Sequence, residues 1–196
     1  MNSVGKLEII YGPMKSQKST ELIHTLCSFA DSPARFEVKT VLYISSKIDT
    51  RSDDPWSTNG FGAIHPSSRV KCIKVDKLGE TDVTKYTKIG VDEGQFFPDL
   101  VKVVLDWVGE GKHVIVCGLI SDWKMQPFGH IAELIPFADK TTSKRAWCTK
   151  CLDSKKIYVK AAFVDKISGL DNPSIIDVGS DQYITVCRKH HHSWKK

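Results

Sequence analysis

Apolar positions in the first 140 residues fall into short runs separated by helical stripes. The runs are Leu7–Tyr11, Thr40–Ser45, Val70–Val75, Lys88–Asp92 and His113–Gly118. Val114-Ile115-Val116-Cys117 is apolar without alternation, the pattern of a strand buried on both faces. Stripes at Ser19–Ala30 (Leu22, Ile23, Leu26 and Phe29 on one face), Pro98–Val108 and Phe128–Leu134 predict helices. Pro98 suits a first helical turn, where a missing N–H costs nothing. Alternating β and α segments predict an α/β fold, a parallel sheet with helices on both faces. After residue 145 the period shortens: Lys156–Val159 and Tyr183–Val186 alternate, with polar Lys166–Asn172 between them. This predicts a nucleotide-binding α/β domain over 1–145 and a small β appendage over 146–196. The irregular stretch Ser46–Ser68 is long enough to be a functional loop.

Composition narrows the class. The 196 residues are 41% hydrophobic, enough for a core, and no apolar stretch nears the ~20 residues of a membrane span. Met1–Lys6 leads into no apolar signal segment. A cytoplasmic protein with no membrane partner is expected. A net charge of +5 fits a solvated basic surface plus an anionic-ligand site. Six cysteines are too sparse for a disulfide scaffold; Cys27 falls near the apolar face of the first helical stripe, and Cys72 and Cys117 read as small buried hydrophobes.

Three motifs carry chemistry. Residues 12–19, Gly-Pro-Met-Lys-Ser-Gln-Lys-Ser, fit the phosphate-loop template at Gly12, Lys18 and Ser19, with Gln17 in place of the second glycine. The loop follows an apolar run and opens a helical stripe, so backbone N–H groups and a helix N-terminus can cradle phosphate oxygens. Next, Ile89-Gly90-Val91 ends in Asp92-Glu93. A carboxylate at such a strand end holds Mg²⁺ beside the loop Lys and Ser, leaving its neighbour to accept a proton from a hydroxyl nucleophile. Last, Cys148-x-x-Cys151 and Cys187-x-x-His190 supply four ligands for a closed, structural zinc site. His190 is preferred to His191 or His192 because its spacing mirrors the first knuckle.

Together with Asp-Glu-Gly-Gln-Phe-Phe (92–97) and Pro-Phe-Gly (127–129), these motifs resemble the cytosolic, type II thymidine kinases over nearly the whole chain. The resemblance implies a RecA-like phosphate-loop core with a zinc-bound lasso, transferring the ATP γ-phosphate to the 5′-hydroxyl of thymidine. It implies ATP, Mg²⁺ and structural Zn²⁺ as cofactors and a homotetramer, with a dimer as the alternative. Gly12, Pro13, Met14, Lys15, Ser16, Gln17, Lys18, Ser19, Asp49, Thr50, Asp92 and Gln95 would bind ATP phosphates, with Mg²⁺ on Ser19 and Asp92. Glu93 would be the general base, and Arg51 of the Asp49-Thr50-Arg51 segment would stabilise charge on the transferring phosphate. Met14, Phe96, Leu119, Trp123, Phe128 and Tyr183 would line the nucleoside pocket. Backbone groups of Ser174, Ile175, Ile176, Asp177 and Val178 would read the base.

The chain departs from the family pattern at several positions. Gln17 replaces glycine, Trp123 stands where Phe is usual, Ile120 where an acid is common, and His190 replaces a fourth cysteine. Two other classes share the core: a nucleic-acid-stimulated ATPase and a nucleotide binder without turnover. Nucleic acid is disfavoured because aromatics are not interleaved with the basic tail.

Overall fold

The computed structural model describes residues 4–32, 40–49, 67–167 and 182–194. Its centre is one six-stranded sheet, every ladder parallel, in the order β3-β2-β4-β5-β1-β6. The strands are β1 (Lys6–Tyr11), β2 (Val41–Ser46), β3 (Val70–Val75), β4 (Lys88–Val91), β5 (His113–Gly118) and β6 (Lys140–Ser143). The first five coincide with the apolar runs to within a residue or two. Strand β6, Lys-Thr-Thr-Ser, was not expected, because it sits at the sheet edge and is mostly exposed.

Helix α1 (Lys18–Asp31) lies on one face, burying Leu22, Ile23, Leu26 and Ala30 against Ile10, Tyr43, Ile115 and Cys117. Gly90 lets it approach closely: a Cβ there would lie 2.5 Å from Leu26 Cδ1. Helices α2 (Leu100–Gly109) and α3 (Ile131–Leu134) cover the other face, over Leu7, Ile9, Ile89, Val91, Val114 and Val116. The expected helix over Phe128–Leu134 shrinks to its last turn. Gly129 adopts φ 60° against the Gln95 backbone, where a Cβ would lie 2.4 Å from the Gln95 carbonyl oxygen. That conformation starts a turn, not a helix.

The last fifty residues build a second, smaller core from Ala146, Cys148, Cys151, Ala161 and Val186. Its elements are β7 (Ala146–Trp147), α4 (Thr149–Lys155), β8 (Lys160–Ala161), β9 (Phe163–Lys166) and β10 (Tyr183–Val186). β10 forms as expected, whereas Lys156–Val159 forms no strand. Ile157 and Tyr158 are exposed, and the partner of β10 is β9. No helix among the described residues is long and apolar enough to cross a membrane.

Candidate active site

The period-two geometry of parallel strands assembles the first part of the site. Tyr43 is in register with Gly90, and Gly90 with Ile115, so the next outward step on the same face brings Asp92 beside Cys117. That face is the one covered by α1, whose first turn carries Ser19. Asp92 is buried, and its Oδ1 accepts hydrogen bonds from Ser19 Oγ (3.0 Å), Cys117 Sγ (2.8 Å) and the Glu93 N–H (2.8 Å). Its Oδ2 accepts one from the Tyr43 hydroxyl at 2.7 Å. Burial, and then the charge of Glu93, push the Asp92 carboxyl up, while the donors from Cys117, Tyr43 and Ser19 pull it back. Burial and the adjacent carboxylate hold Tyr43 and Cys117 firmly protonated, as donors must be. Neither residue was singled out for this role, and Cys117 is more than a small hydrophobe. Cys72 is only half-buried, against the expectation, whereas Cys27 packs partly buried against the α1 core, near its apolar face.

The phosphate loop runs from β1 into α1 through two left-handed residues, Lys15 (φ 58°) and Gln17 (φ 65°). Gln17 therefore occupies the backbone conformation that glycine would take without cost. Its carbonyl accepts the Glu21 N–H at 3.1 Å as α1 begins. Lys18 is buried and donates from Nζ to the Pro13 carbonyl at 3.0 Å. The Ser16 hydroxyl is 3% exposed and finds no partner among the described residues. A buried, unpaired hydroxyl beside a helix N-terminus and a lysine suits a phosphate oxygen, so the donor set fits a nucleotide phosphate chain. Gly12, Pro13 and Met14 connect β1 to these left-handed residues.

Glu93 is also left-handed, at φ 48°. Its carboxylate accepts from Gln95 Nε2 at 2.7 Å, and Gln95 Oε1 accepts the Leu119 N–H at 3.0 Å. Gln95, expected at the phosphates, thus has both ends of its amide engaged with Glu93 and Leu119. Asp49 ends the β2 turn, its carbonyl accepting from Lys74 Nζ at 3.3 Å. Phe96 and Phe128 meet edge to face, ring centroids 5.9 Å apart. Met14, Phe96, Leu119, Trp123 and Phe128 are half-buried and Tyr183 is buried. Thr50, Arg51 and Ser174–Val178 lie outside the described residues.

Cys148, Cys151, Cys187 and His190 converge. His190 Nδ1 lies 3.5, 3.3 and 3.6 Å from the Cys148, Cys151 and Cys187 sulfurs, and Cys151 Sγ lies 3.9 Å from Cys187 Sγ. A tetrahedral zinc with Zn–S of about 2.3 Å and Zn–N of about 2.05 Å places its ligands ~3.6 Å (S to N) and ~3.8 Å (S to S) apart. The spacing of Cys148, Cys151, Cys187 and His190 is compatible with that ion. Against burial, hydrogen bonds from the Cys187 backbone, His190 and Cys151 hold the Cys148 thiol down to about 6, while burial and the neighbouring sulfurs of Cys148 and Cys187 push Cys151 up to about 11.

A second group, Asp165, His191 and His192, also lies close together. His191 Nε2 donates to the Trp123 carbonyl (3.0 Å) while its Nδ1 accepts the Ser193 N–H (3.2 Å). With both ring nitrogens engaged, His191 is a structural member, not a ligand.

A phosphate loop on a parallel sheet, a strand-end aspartate bonded to the loop serine, and a carboxylate next to it define a phosphate-loop nucleotide-binding protein built for phosphoryl transfer. The thymidine kinase family model matches residues 5–191. Thymidine kinase 1 of Dictyostelium discoideum is 34% identical over 186 residues, spanning 94% of this chain and 76% of that protein. The thymidine kinases of monkeypox virus (strain Zaire-96-I-16) and vaccinia virus (strain Copenhagen) are each 33% identical over 187 residues, spanning 94% of this chain and 96% of theirs. The chain belongs to the thymidine kinase family.

Proposed function

We infer that the protein is an ATP-dependent thymidine kinase, converting thymidine to dTMP, and that Glu93 is its general base. Family membership carries the reaction, and one contact supports the assignment of roles: Ser19 and Asp92 meet at 3.0 Å where the phosphate loop faces the strand end. Ser19 and Asp92 are the residues that would hold Mg²⁺, which supplies neutralisation of phosphate charge when bound. Lys18 exchanges its bond to the Pro13 carbonyl for phosphate oxygens, and Ser16 donates its unpaired hydroxyl to the same group. Glu93, oriented by Gln95, takes the proton from the 5′-hydroxyl as that oxygen attacks the γ-phosphorus and the bond from the γ-phosphorus to the bridging oxygen breaks, releasing ADP. Arg51, two positions after Asp49 in the sequence, stabilises the transferring phosphate.

The nucleoside lies between Met14, Phe96, Leu119, Trp123, Phe128 and Tyr183, with Ser174–Val178 reading the base edge. Zinc on Cys148, Cys151, Cys187 and His190 clamps both ends of the segment that contains those residues. We place the enzyme in the cytoplasm as a homotetramer, which light scattering would check. Phosphate transfer from ATP to thymidine, measured with and without DNA, tests the function. Transfer without DNA supports it. DNA-dependent hydrolysis would instead identify a nucleic-acid-stimulated ATPase, and binding without turnover a regulatory nucleotide binder.

A further inference from the structure

Between β5 and α3 the chain makes a tight hairpin, and its two ends are held by different parts of the molecule. Within it, the Asp122 N–H donates to the Gln126 carbonyl (2.9 Å) and the Phe128 N–H to the Ile120 carbonyl (3.2 Å). Asp122 Oδ1 accepts the N–H groups of Lys124 and Gln126, each at 2.8 Å. At the base, the Leu119 N–H reaches Gln95, the residue that orients Glu93. At the tip, the Trp123 carbonyl accepts from His191 Nε2, and His191 is fully buried. His191 directly follows the zinc-cluster residue His190.

The surroundings of His191 make this contact stiff. Its ring meets Phe163 edge to face at 5.8 Å and stacks on His192 at 4.6 Å. His192 packs against the Trp123 indole at 5.4 Å and bonds Asp165 at 2.7 Å. Asp165 is bridged by Lys150, whose Nζ also donates to the His190 carbonyl at 3.3 Å. Lys150 itself sits between Cys148 and Cys151. Among the described residues, the hydrogen-bonded links from the cysteine–histidine cluster to the hairpin tip thus pass through residues 190–192, while Lys166 of β9 adds a cation–π contact over the Trp123 ring at 5.7 Å.

We propose that His191 is a positioning residue for the nucleoside pocket, its Nε2–H···O=C bond to Trp123 fixing the hairpin whose other end touches the Glu93–Gln95 pair. The zinc knuckle then sets pocket geometry directly, in addition to clamping the segment beyond β9. This rests on the reading of Trp123 and Leu119 as pocket residues. Nothing in the reaction chemistry requires His191 to touch substrate.

The test compares His191→Phe, which keeps a ring of similar size but cannot donate, with His191→Gln, whose amide reaches the Nε2 position and can. Losing a buried hydrogen bond and leaving the carbonyl unpaired is expected to raise KM for thymidine by about 5- to 30-fold in His191→Phe. KM for ATP and zinc content should stay unchanged, and His191→Gln should stay within about threefold of the parent. An unchanged thymidine KM in His191→Phe, while Trp123→Ala raises it, overturns the proposal and leaves the pocket intact. If neither substitution moves it, the pocket reading fails and the proposal with it. Should His191→Phe not fold, hydrogen exchange on the intact protein decides. Faster exchange at Ser121–Gln126 after zinc chelation, with β1 and β5 still protected, supports the link, and unchanged exchange there overturns it.

Discussion

Removing the Tyr43 hydroxyl is the sharpest probe of how this site holds a buried charge. In Tyr43→Phe the ring still packs with Ile10, Leu22 and Ile115, so no cavity opens. What is lost is a 2.7 Å donor to Asp92 Oδ2. A hydrogen bond to a charged acceptor contributes about 1.5–3 kcal/mol, so a loss of about 2 kcal/mol is expected at neutral pH. For a chain of this length that is a fall in Tm of about 4–8 °C. The sign with pH follows from Asp92, whose carboxyl is raised above its ordinary 3.8 by burial and by Glu93. A raised acid contributes stability that is fully present below its unfolded value and lost as pH rises through its folded value. Ionised Asp92 is therefore a liability that Tyr43 offsets, and the substitution raises that pKa further. Urea melts of parent and variant over a pH series from about 4.5 to about 8 should give a difference that grows as pH rises through the folded Asp92 value. A difference below about 0.5 kcal/mol at pH 8, or one independent of pH, would refute the idea that Tyr43 supports an ionised Asp92.

Other substitutions isolate single contributions. Glu93→Gln should keep ATP affinity, read by calorimetry, and lower turnover about 10²-fold; unchanged turnover would remove Glu93 from proton transfer. Gln17→Gly relieves a left-handed side chain at φ 65°. Offset in part by the entropy of glycine, it should stabilise the fold by about 0.5–1 kcal/mol in thermal melts, and a lower Tm would contradict the strain. Burial acts to raise Glu8, yet bonds from Lys6 and His113 hold it at about 2. Burial and Lys88 keep His113 itself low, hence a neutral donor at pH 7. Stability from a lowered acid is present above its ordinary 4.5 and lost as pH falls through about 2. Because Lys6 is half exposed, Glu8→Gln should cost only about 1–2 kcal/mol at pH 7 and nothing near pH 2, by denaturant titration across that range.

The readable parts of this fold were those where burial and local pattern agree. β1, β2, β4 and β5 are nearly continuous apolar runs because both of their faces are covered. Edge strand β6 shows no such signature, since Lys140, Thr141 and Ser143 are exposed. Lys156–Val159 has strand-like alternation but no partner, and only the pairing of Phe163–Lys166 with Tyr183–Val186 decides where the strand lies. In the site, Lys18, Ser19, Asp92 and Glu93 are legible as motifs. Tyr43, Cys117 and His191 are not, because their roles arise from register and tertiary contact. The one local hint was parity: Cys117 falls one ladder step beyond Ile115 on the face where Asp92 must point.

Backbone strain shows where the fold is bent to serve chemistry. Three of the non-glycine residues with left-handed backbone, Lys15, Gln17 and Glu93, belong to the candidate site. Each such residue costs about 1 kcal/mol or more and persists only when its surroundings over-determine it. At Glu93 the restraints are visible: its N–H is bound by Asp92 Oδ1 and its carboxylate by Gln95. The turn has a clear consequence. Continuing β4 as a regular strand would send residue 93 to the α2 face, away from Asp92. The left-handed step instead turns the chain at the strand end, so that Asp92 stays on the α1 face beside Ser19 while Glu93 meets the Gln95–Leu119 bracket. Two adjacent acids thereby acquire different partners, one enclosed by four donors and one bonded through Gln95 to the base of the Leu119–Phe128 hairpin. That division lets neighbouring carboxylates carry separate tasks, and it originates in one strained residue.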